Sequence, residues 1–335
     1  MRPPEVAAGL LDAPAAGRAL GTASLVGLGA ALPDGVVDND AIGASAGVDA
    51  TWIARRTGIR ERRHATASAT TTTDLAEEAA RAALADAGVA AADVDLVVVG
   101  TMTPDFACPQ VAPMVAHRLG ADRAGAFDVA AACTAWLSAL SVAGATIEAG
   151  RAQCALVIGV DVLSRVLNLE DRMTAPLFAD GAGAAVLVAG DRGGRLGPVV
   201  LQSDGGGSEL IVCGVGGHIV MDGHETFRRA VGAMCGAAAR ACELAGIGVG
   251  DLDLVVPHQA NARITAAVAE RLGLPPERVV DDIAHTGNTS AATLPLALAR
   301  AKAAGRLPQA GRVLVAAFGS GLTWGAAVLD WEATA

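Results

Sequence analysis

Ala87-Gly-Val-Ala-Ala-Ala-Asp-Val-Asp-Leu-Val-Val98 recurs as Ala245-Gly-Ile-Gly-Val-Gly-Asp-Leu-Asp-Leu-Val-Val256, and this pair of segments decides how the rest of the chain is read. Each copy follows an alanine-rich helical stretch. Gly88 and Gly246 stand where a left-handed helix C-cap belongs, and the apolar β-branched run that follows reads as a buried strand. Further landmarks keep the same order downstream. His117-Arg-Leu-Gly120 answers Glu270-Arg-Leu-Gly273, Asp128 near a strand start answers Asp281, and Ala-Gly-Arg at 149–151 returns at 304–306. Gly-Ala-Ala-Val-Leu is identical at 183–187 and 325–329. An alanine-rich chain could supply any one match by chance, but an ordered series points to duplication.

Each half also holds a stretch, 133–147 and 289–299, that begins abruptly and carries no charge for about three helical turns. A surface helix would show a polar stripe, so these two belong between layers. The predicted fold class is α/β, with two similar halves at 21–190 and 191–335 around central buried helices. A single doubly wound sheet with a helical appendage is the alternative. The boundary is expected in the Gly-rich, Pro-containing stretch 190–207, and residues 1–20 read as a loose N-terminal arm.

Composition narrows the function. The 335 residues are 52% hydrophobic and 18% charged, enough to bury a large core. Aromatics make up only 3%, so Ala, Val and Leu must fill the interior of closely approaching elements. A net charge of -10 argues against a general nucleic-acid binder. Arg55, Arg56, Arg60, Arg62 and Arg63 run against that balance, and they read either as a local site for a phosphorylated ligand or as a solvated loop. The six cysteines, 108, 133, 154, 213, 235 and 242, form no CxxC pair, so neither a metal site nor a disulfide framework is indicated and a reducing cytoplasm is expected. The apolar stretch at 7–11 is too short for a signal-peptide core, and no run approaches a membrane span. With Lys302 the one lysine and no tyrosine, P-loop, Schiff-base and Tyr/Lys reductase chemistries fall away.

In the repeat, Cys133 is expected to take the place that Asn288 takes in the other half, each at the start of a buried helix. A thiol there would feel unpaired N–H groups and the positive end of the helix dipole, which favours thiolate. Cys154, Cys235 and Cys242 read as inert core residues. His258 follows the apolar run Leu254-Val-Val-Pro257 at a strand's C-terminal end, where open α/β sheets place their sites. Other motifs are discounted: Asn288-Thr-Ser290 as a glycosylation sequon, Gly27-Leu-Gly29 and Gly181-Ala-Gly183 as dinucleotide fingerprints, and His224-Glu225 as a zincin fragment.

From about Gly21 onward the chain resembles the β-ketoacyl-ACP synthase III family of the thiolase superfamily. The carrying motifs are Phe127-Asp-Val-Ala-Ala-Ala-Cys133, Phe178-Ala-Asp-Gly-Ala-Gly183, Pro257-His-Gln-Ala-Asn261, Gly287-Asn-Thr-Ser-Ala-Ala292 and Phe318-Gly-Ser-Gly-Leu-Thr-Trp-Gly325. The resemblance implies a five-layered thiolase-like fold. It implies that Cys133 takes an acyl group from acyl-CoA, and that His258 and Asn288 stabilise the enolate formed as malonyl-ACP decarboxylates. It implies an oxyanion hole made by the backbone N–H groups of Cys133 and Ser320, where the family has glycine at the latter. Trp52, Arg56, Arg172 and Asn261 would hold CoA, and Arg228, Arg263 and Arg271 would dock the acidic carrier protein, with Glu270 departing from that basic pattern. Acyl-CoA is expected as substrate, with no cofactor and no metal, in a cytoplasmic homodimer. Cys108, contributed across the dimer interface, and Trp136 are expected at the acyl pocket, where their departure from the family pattern implies a starter other than plain acetyl. Thiolases need a second cysteine near the C-terminus, and none follows Cys242. The elongating synthases carry a second histidine where this chain has Asn288. The remaining alternative is a non-decarboxylating acyltransferase of a secondary pathway that delivers the acyl group to a hydroxyl or amine.

Overall fold

The two quoted segments fold alike. A computed structural model describes residues 21–65 and 70–332; the arm expected at 1–20 and positions 333–335 of the second half lie outside the described residues. In chain order the strands are β1 (Ala23–Ala31), β2 (Val36–Asp38), β3 (Glu61–Arg63), β4 (Leu96–Gly100), β5 (Gly125–Val129), β6 (Cys154–Val162), β7 (Asp180–Ala189), β8 (Gly194–Ser203), β9 (Ile211–Cys213), β10 (Ile219–Met221), β11 (Leu254–Pro257), β12 (Ala310–Gly319) and β13 (Thr323–Glu332). The α-helices are α1 (Asn39–Ala46), α2 (Ala50–Thr57), α3 (Thr72–Ala87), α4 (Val111–Leu119), α5 (Ala135–Glu148), α6 (Gly223–Leu244), α7 (Ala262–Leu272), α8 (Ile283–Thr286) and α9 (Thr293–Ala303).

Nine strands form one hydrogen-bonded sheet in the order β11-β12-β13-β8-β1-β7-β6-β4-β5. Outward from its middle, β1-β7-β6-β4-β5 is answered by β8-β13-β12-β11, and an isolated parallel bridge from Val255 to Val279 stands where a fifth strand would be. The pairing senses repeat as well. The first two pairings of each half are antiparallel, and the next, β6 with β4 and β12 with β11, is parallel. The halves join where Ser24 and Leu25 of β1 pair with Arg195 and Gly194 of β8. The expected 190–207 linker is therefore mostly strand. Pro198, which cannot donate to a ladder, sits where the β8–β13 register slips, so the bulge accommodates it.

Helix α5 packs on β4 and β6 of the first half and on β8 and β13 of the second; α9 reaches β1 and β7 as well as β11 and β12. Both thus lie between the two halves of the sheet. Helices α3 and α4 cover the other face of the first half, and α6 and α7 that of the second, which makes five layers. The lack of charge over 133–147 and 289–299 follows from this placement, because an unpaired charge in the middle layer would be costly to desolvate; Glu148 of α5 and Arg300 and Lys302 of α9 stand only in the last turns.

Neither central helix starts where expected. A 3-10 turn precedes each, Ala132–Thr134 before α5 and Ser290–Ala292 before α9. Each turn opens on a non-glycine residue at positive φ, 45° at Ala132 and 51° at Ser290. By this landmark Cys133 corresponds to Ala291 and Asn288 to Ala130, which corrects the expected pairing of Cys133 with Asn288.

Candidate active site

Cys133, His258 and Asn288 line one cavity of about 760 Å³, together with Ser320. Each arrives on a different element. Cys133 rides the turn before α5. Gly319, at the end of β12, lies so close that a Cβ there would come 2.9 Å from the Cys133 nitrogen. Glycine is what lets the C-terminal loop reach the thiol. His258 follows β11 and is tied by its N–H to the Ala316 carbonyl at 2.7 Å. Asn288 is held by backbone bonds to the loop before β7, donating to the Leu177 carbonyl at 2.9 Å and accepting from the Ala179 N–H at 2.8 Å.

The expected thiolate is not what the site favours. Burial pushes the Cys133 thiol up to about 12; Ser290 partly offsets this, and the nearby Asp161 adds to it. The side chain is half-buried, because it faces the cavity rather than bulk water. The dipole argument fails here because Cys133 sits in the turn ahead of α5, among apolar walls. Burial lowers His258 to about 4, so the imidazole is neutral at pH 7. Its Nδ1 is buried without a partner, which leaves Nε2 as the nitrogen open to the cavity. A bare Nδ1 is cheaper than a buried unpaired N–H, so the proton belongs on Nε2. In Asn288, Oδ1 accepts the Ser290 N–H at 3.0 Å, so the carboxamide NH2 is its free donor. Among the described residues, the N–H groups of Cys133 and Ser320 have no backbone acceptor. The cavity therefore offers one thiol and several neutral donors, a set suited to oxyanions rather than to stable cations.

The mouth of the cavity carries Trp52, Arg56, Arg172, Asn261 and Arg263. Arg56 stacks over the Trp52 ring at 5.6 Å, and Asn261 caps α7 while donating to the Arg56 carbonyl at 3.1 Å. Of the arginine cluster, Arg56 alone lines the cavity. Arg62 is 0% exposed and donates to Asn39, Pro176 and Val37, so it is a structural strut, lowered to about 10 by burial against the opposing pull of Asp38. Arg228, Arg263 and Arg271 are exposed on the outer helices α6 and α7; Arg228 is paired with Glu225, and Arg263 lies over Phe227.

Two expected pocket residues are not on this cavity. Trp136 is 0% exposed in the central core and donates its indole N–H to the Val157 carbonyl at 3.2 Å. It stands near the start of α5 and turns toward the strands, where Gly100 and Gly159 make room. Cys108 is exposed and does not line its own chain's cavity. Apolar walls come instead from Met102, Leu163, Phe178 and the inner face of the β9–β10 hairpin, Ile211, Cys213, Ile219 and Met221. Sequence reasoning missed Asp161, a fully buried acid that accepts from Thr101, Met102, Thr103 and Ala291. An acid closing the apolar run Cys-Ala-Leu-Val-Ile-Gly-Val of β6 was a signal that could have found it. It also missed Ser290, whose Oγ lies beside Cys133 and Asp161 without meeting hydrogen-bond geometry to either.

Fold and site together define a condensing acyltransferase of the thiolase type. Residues 127–205 match the family described as 3-oxoacyl-[acyl-carrier-protein] synthase III, and 242–331 match its C-terminal part. A β-ketoacyl-[acyl-carrier-protein] synthase III of Streptomyces coelicolor is 48% identical over 313 residues, covering 92% of this chain and 94% of the relative. The crystal structure of 3-oxoacyl-(acyl carrier protein) synthase III from Pseudomonas aeruginosa PAO1 superposes with a TM-score of 0.89 at 44% identity, covering 94% and 99% of the two chains. The priming β-ketosynthase of the R1128 polyketide pathway gives 0.89 at 39% identity, with 94% and 98% covered. The chain belongs to the 3-oxoacyl-[acyl-carrier-protein] synthase III family.

Proposed function

We propose that this enzyme starts chain building by decarboxylative condensation, with Cys133 as nucleophile and His258 and Asn288 as oxyanion donors. The Cys133 thiol attacks an acyl-CoA and releases CoA–SH, which leaves an acyl-cysteine. The backbone N–H groups of Cys133 and Ser320 hold the tetrahedral oxyanion. Malonyl-ACP then enters. As its carboxylate leaves as CO2, the electron pair passes into an enolate whose oxygen accepts from His258 Nε2–H and the Asn288 NH2. The enolate carbon attacks the acyl-cysteine, and the departing sulfur takes up a proton. The products are 3-oxoacyl-ACP and a regenerated thiol.

The observation that supports this reading is the convergence of Cys133, His258, Asn288 and Ser320 on one cavity. Trp52, Arg56, Arg172 and Asn261 receive the CoA moiety in this proposal, and Arg228, Arg263 and Arg271 receive the carrier protein. No cofactor or metal takes part. Among the described residues no helix is long and apolar enough to cross a membrane. We read the enzyme as a cytoplasmic homodimer, in two halves at 21–190 and 191–335, with Cys108 reaching the partner's acyl chamber and a starter other than plain acetyl. The test combines acyl-CoA, malonyl-ACP and intact-protein mass spectrometry. It should give an acyl adduct on Cys133, then stoichiometric CO2 and 3-oxoacyl-ACP. Acyl transfer without CO2 would favour the acyltransferase alternative instead.

A further inference from the structure

The register of the two halves exposes an asymmetry. β4 pairs Leu96 with Ala155 of β6, and β11 pairs Leu254 with Val313 of β12. Leu96 and Leu254 are matched in the repeat, so six residues further along each partner strand Asp161 and Gly319 occupy equivalent places. Each abuts the turn of the opposite half. Asp161 Oδ2 accepts the N–H of Ala291 at 3.1 Å, whereas Gly319, with no side chain, lies against Cys133, the counterpart of Ala291. One turn has its N–H capped by a carboxylate. The other is left open beside the nucleophile.

We propose that Asp161 is a positioning residue of the condensing site: it locks the Ser290–Ala292 turn so that Ser290 holds Asn288 Oδ1 and the Asn288 NH2 faces substrate. The inference rests on the reading of the site given above. Asp161 is buried with 0% exposure, at the end of β6. Its Oδ1 collects Thr101 Oγ1 at 3.0 Å, the Met102 N–H at 2.8 Å and Thr103 Oγ1 at 3.0 Å. Its Oδ2 fixes Ala291, next in the chain to Ser290, whose N–H orients Asn288. Met102 lines the cavity, so one carboxylate sets the wall and the carboxamide together. This many donors on one buried acid is more than neutral packing needs.

The test is Asp161→Asn, whose amide NH2 must face a donor on one side, either Ala291 N–H or Met102 N–H. The kcat for CO2 release from malonyl-ACP should fall on the order of 10²-fold with KM little changed, the loss expected when a reacting group is misplaced. A second readout is alkylation of Cys133 by iodoacetamide across pH. Asp161 opposes the thiolate from close by, so replacing it should move that profile down. Ser290→Ala, which keeps the backbone N–H but removes the hydroxyl dipole beside the thiol that partly offsets its burial, should move it up. The other ionisable groups on the cavity, His258, His224, Cys213, Arg56, Arg172 and Arg263, are the same in both variants. Loss of packing alone cannot produce shifts of opposite sign. Wild-type kcat in Asp161→Asn, or shifts of the same sign in the two variants, would overturn the proposal, and if Asp161→Asn does not fold, an unmoved Ser290→Ala profile does so. Because alkylation needs no acyl substrate, opposite shifts in an enzyme that never releases CO2 would sink the condensing function and leave the placement of Asp161 beside Cys133 and the Ser290–Ala292 turn standing.

Discussion

Ala132–Thr134 and Ser290–Ala292 are the same turn built twice, each entered at positive φ, each followed by a buried helix, and each touched by the opposite half of the molecule. They differ in what surrounds them. Around the first, Gly319 leaves the Cys133 N–H free, and His258 and Asn288 come in across a cavity. Around the second, the counterpart of His258 is Gly100, pressed against α5 so that a Cβ would lie 2.7 Å from the Ala135 carbonyl carbon, and the counterpart of Asn288 is Ala130. The Asp161 carboxylate fills what remains. The two scaffolds match, and His258 and Asn288 gather around one turn while Gly100, Ala130 and a carboxylate take the equivalent places around the other. Buried polar groups are costly unless partnered, which argues against keeping two open sites.

The sharpest break of the comparison is Cys133→Ala, which should abolish acyl loading in intact-protein mass spectrometry while leaving thermal unfolding nearly unchanged. Next come His258→Ala and Asn288→Ala. Each removes one oxyanion donor, so CO2 release should fall roughly 10²- to 10³-fold while acylation of Cys133 persists. If either variant also lost acylation, the division of labour between the two oxyanion sites would be wrong.

A smaller effect concerns pH. Folded His258 titrates near 4, below its ordinary value near 6.5, so between those limits the unfolded chain binds a proton that the native protein refuses. Stability should therefore be full above pH 6.5 and fall by about 3 kcal/mol on acidification through this window. Urea titrations at several pH values check this, and His258→Gln should lack that component. If its acid loss matched wild type, the imidazole would not be buried neutral.

Gly319→Ala and Gly159→Ala compare the two turns directly. The added Cβ would lie 2.9 Å from the Cys133 nitrogen in one case and 2.2 Å from the Ala291 carbonyl oxygen in the other. Each should cost roughly 1–3 kcal/mol of stability. Only Gly319→Ala should slow acyl loading beyond that expected from its lost stability, as followed by the rate of adduct formation.

The duplication, the α/β class, the charge-free stretches of the central helices and the three side chains that share one cavity were all legible in the sequence, because each rests on local periodicity or on motifs short enough to read. The pairing of Cys133 with Asn288 was misjudged because both precede a helix; Cys133 lies inside its 3-10 turn and Asn288 two residues ahead of the equivalent turn, an offset of three that has no signature in alanine-rich sequence. Trp136 looked like a pocket residue because it departs from the family's pattern at that position, yet helical geometry turns it into the core. The stretch 190–207 looked like a linker because Gly and Pro dominate it, but a bulge lets β8 run through.

Sequence by itself determined the repeated strand-and-helix pattern and the inward helices, since these follow from side-chain chemistry and spacing along the chain, and its motifs picked out Cys133, His258 and Asn288 as candidates through their resemblance to the family. Tertiary structure alone decided the protonation of the thiol and the imidazole, the opposition of Asp161 and Gly319 and the separation of Arg56 from the buried Arg62. Those depend on desolvation and on which distant backbone comes within a few ångströms, quantities that no spacing along one chain encodes.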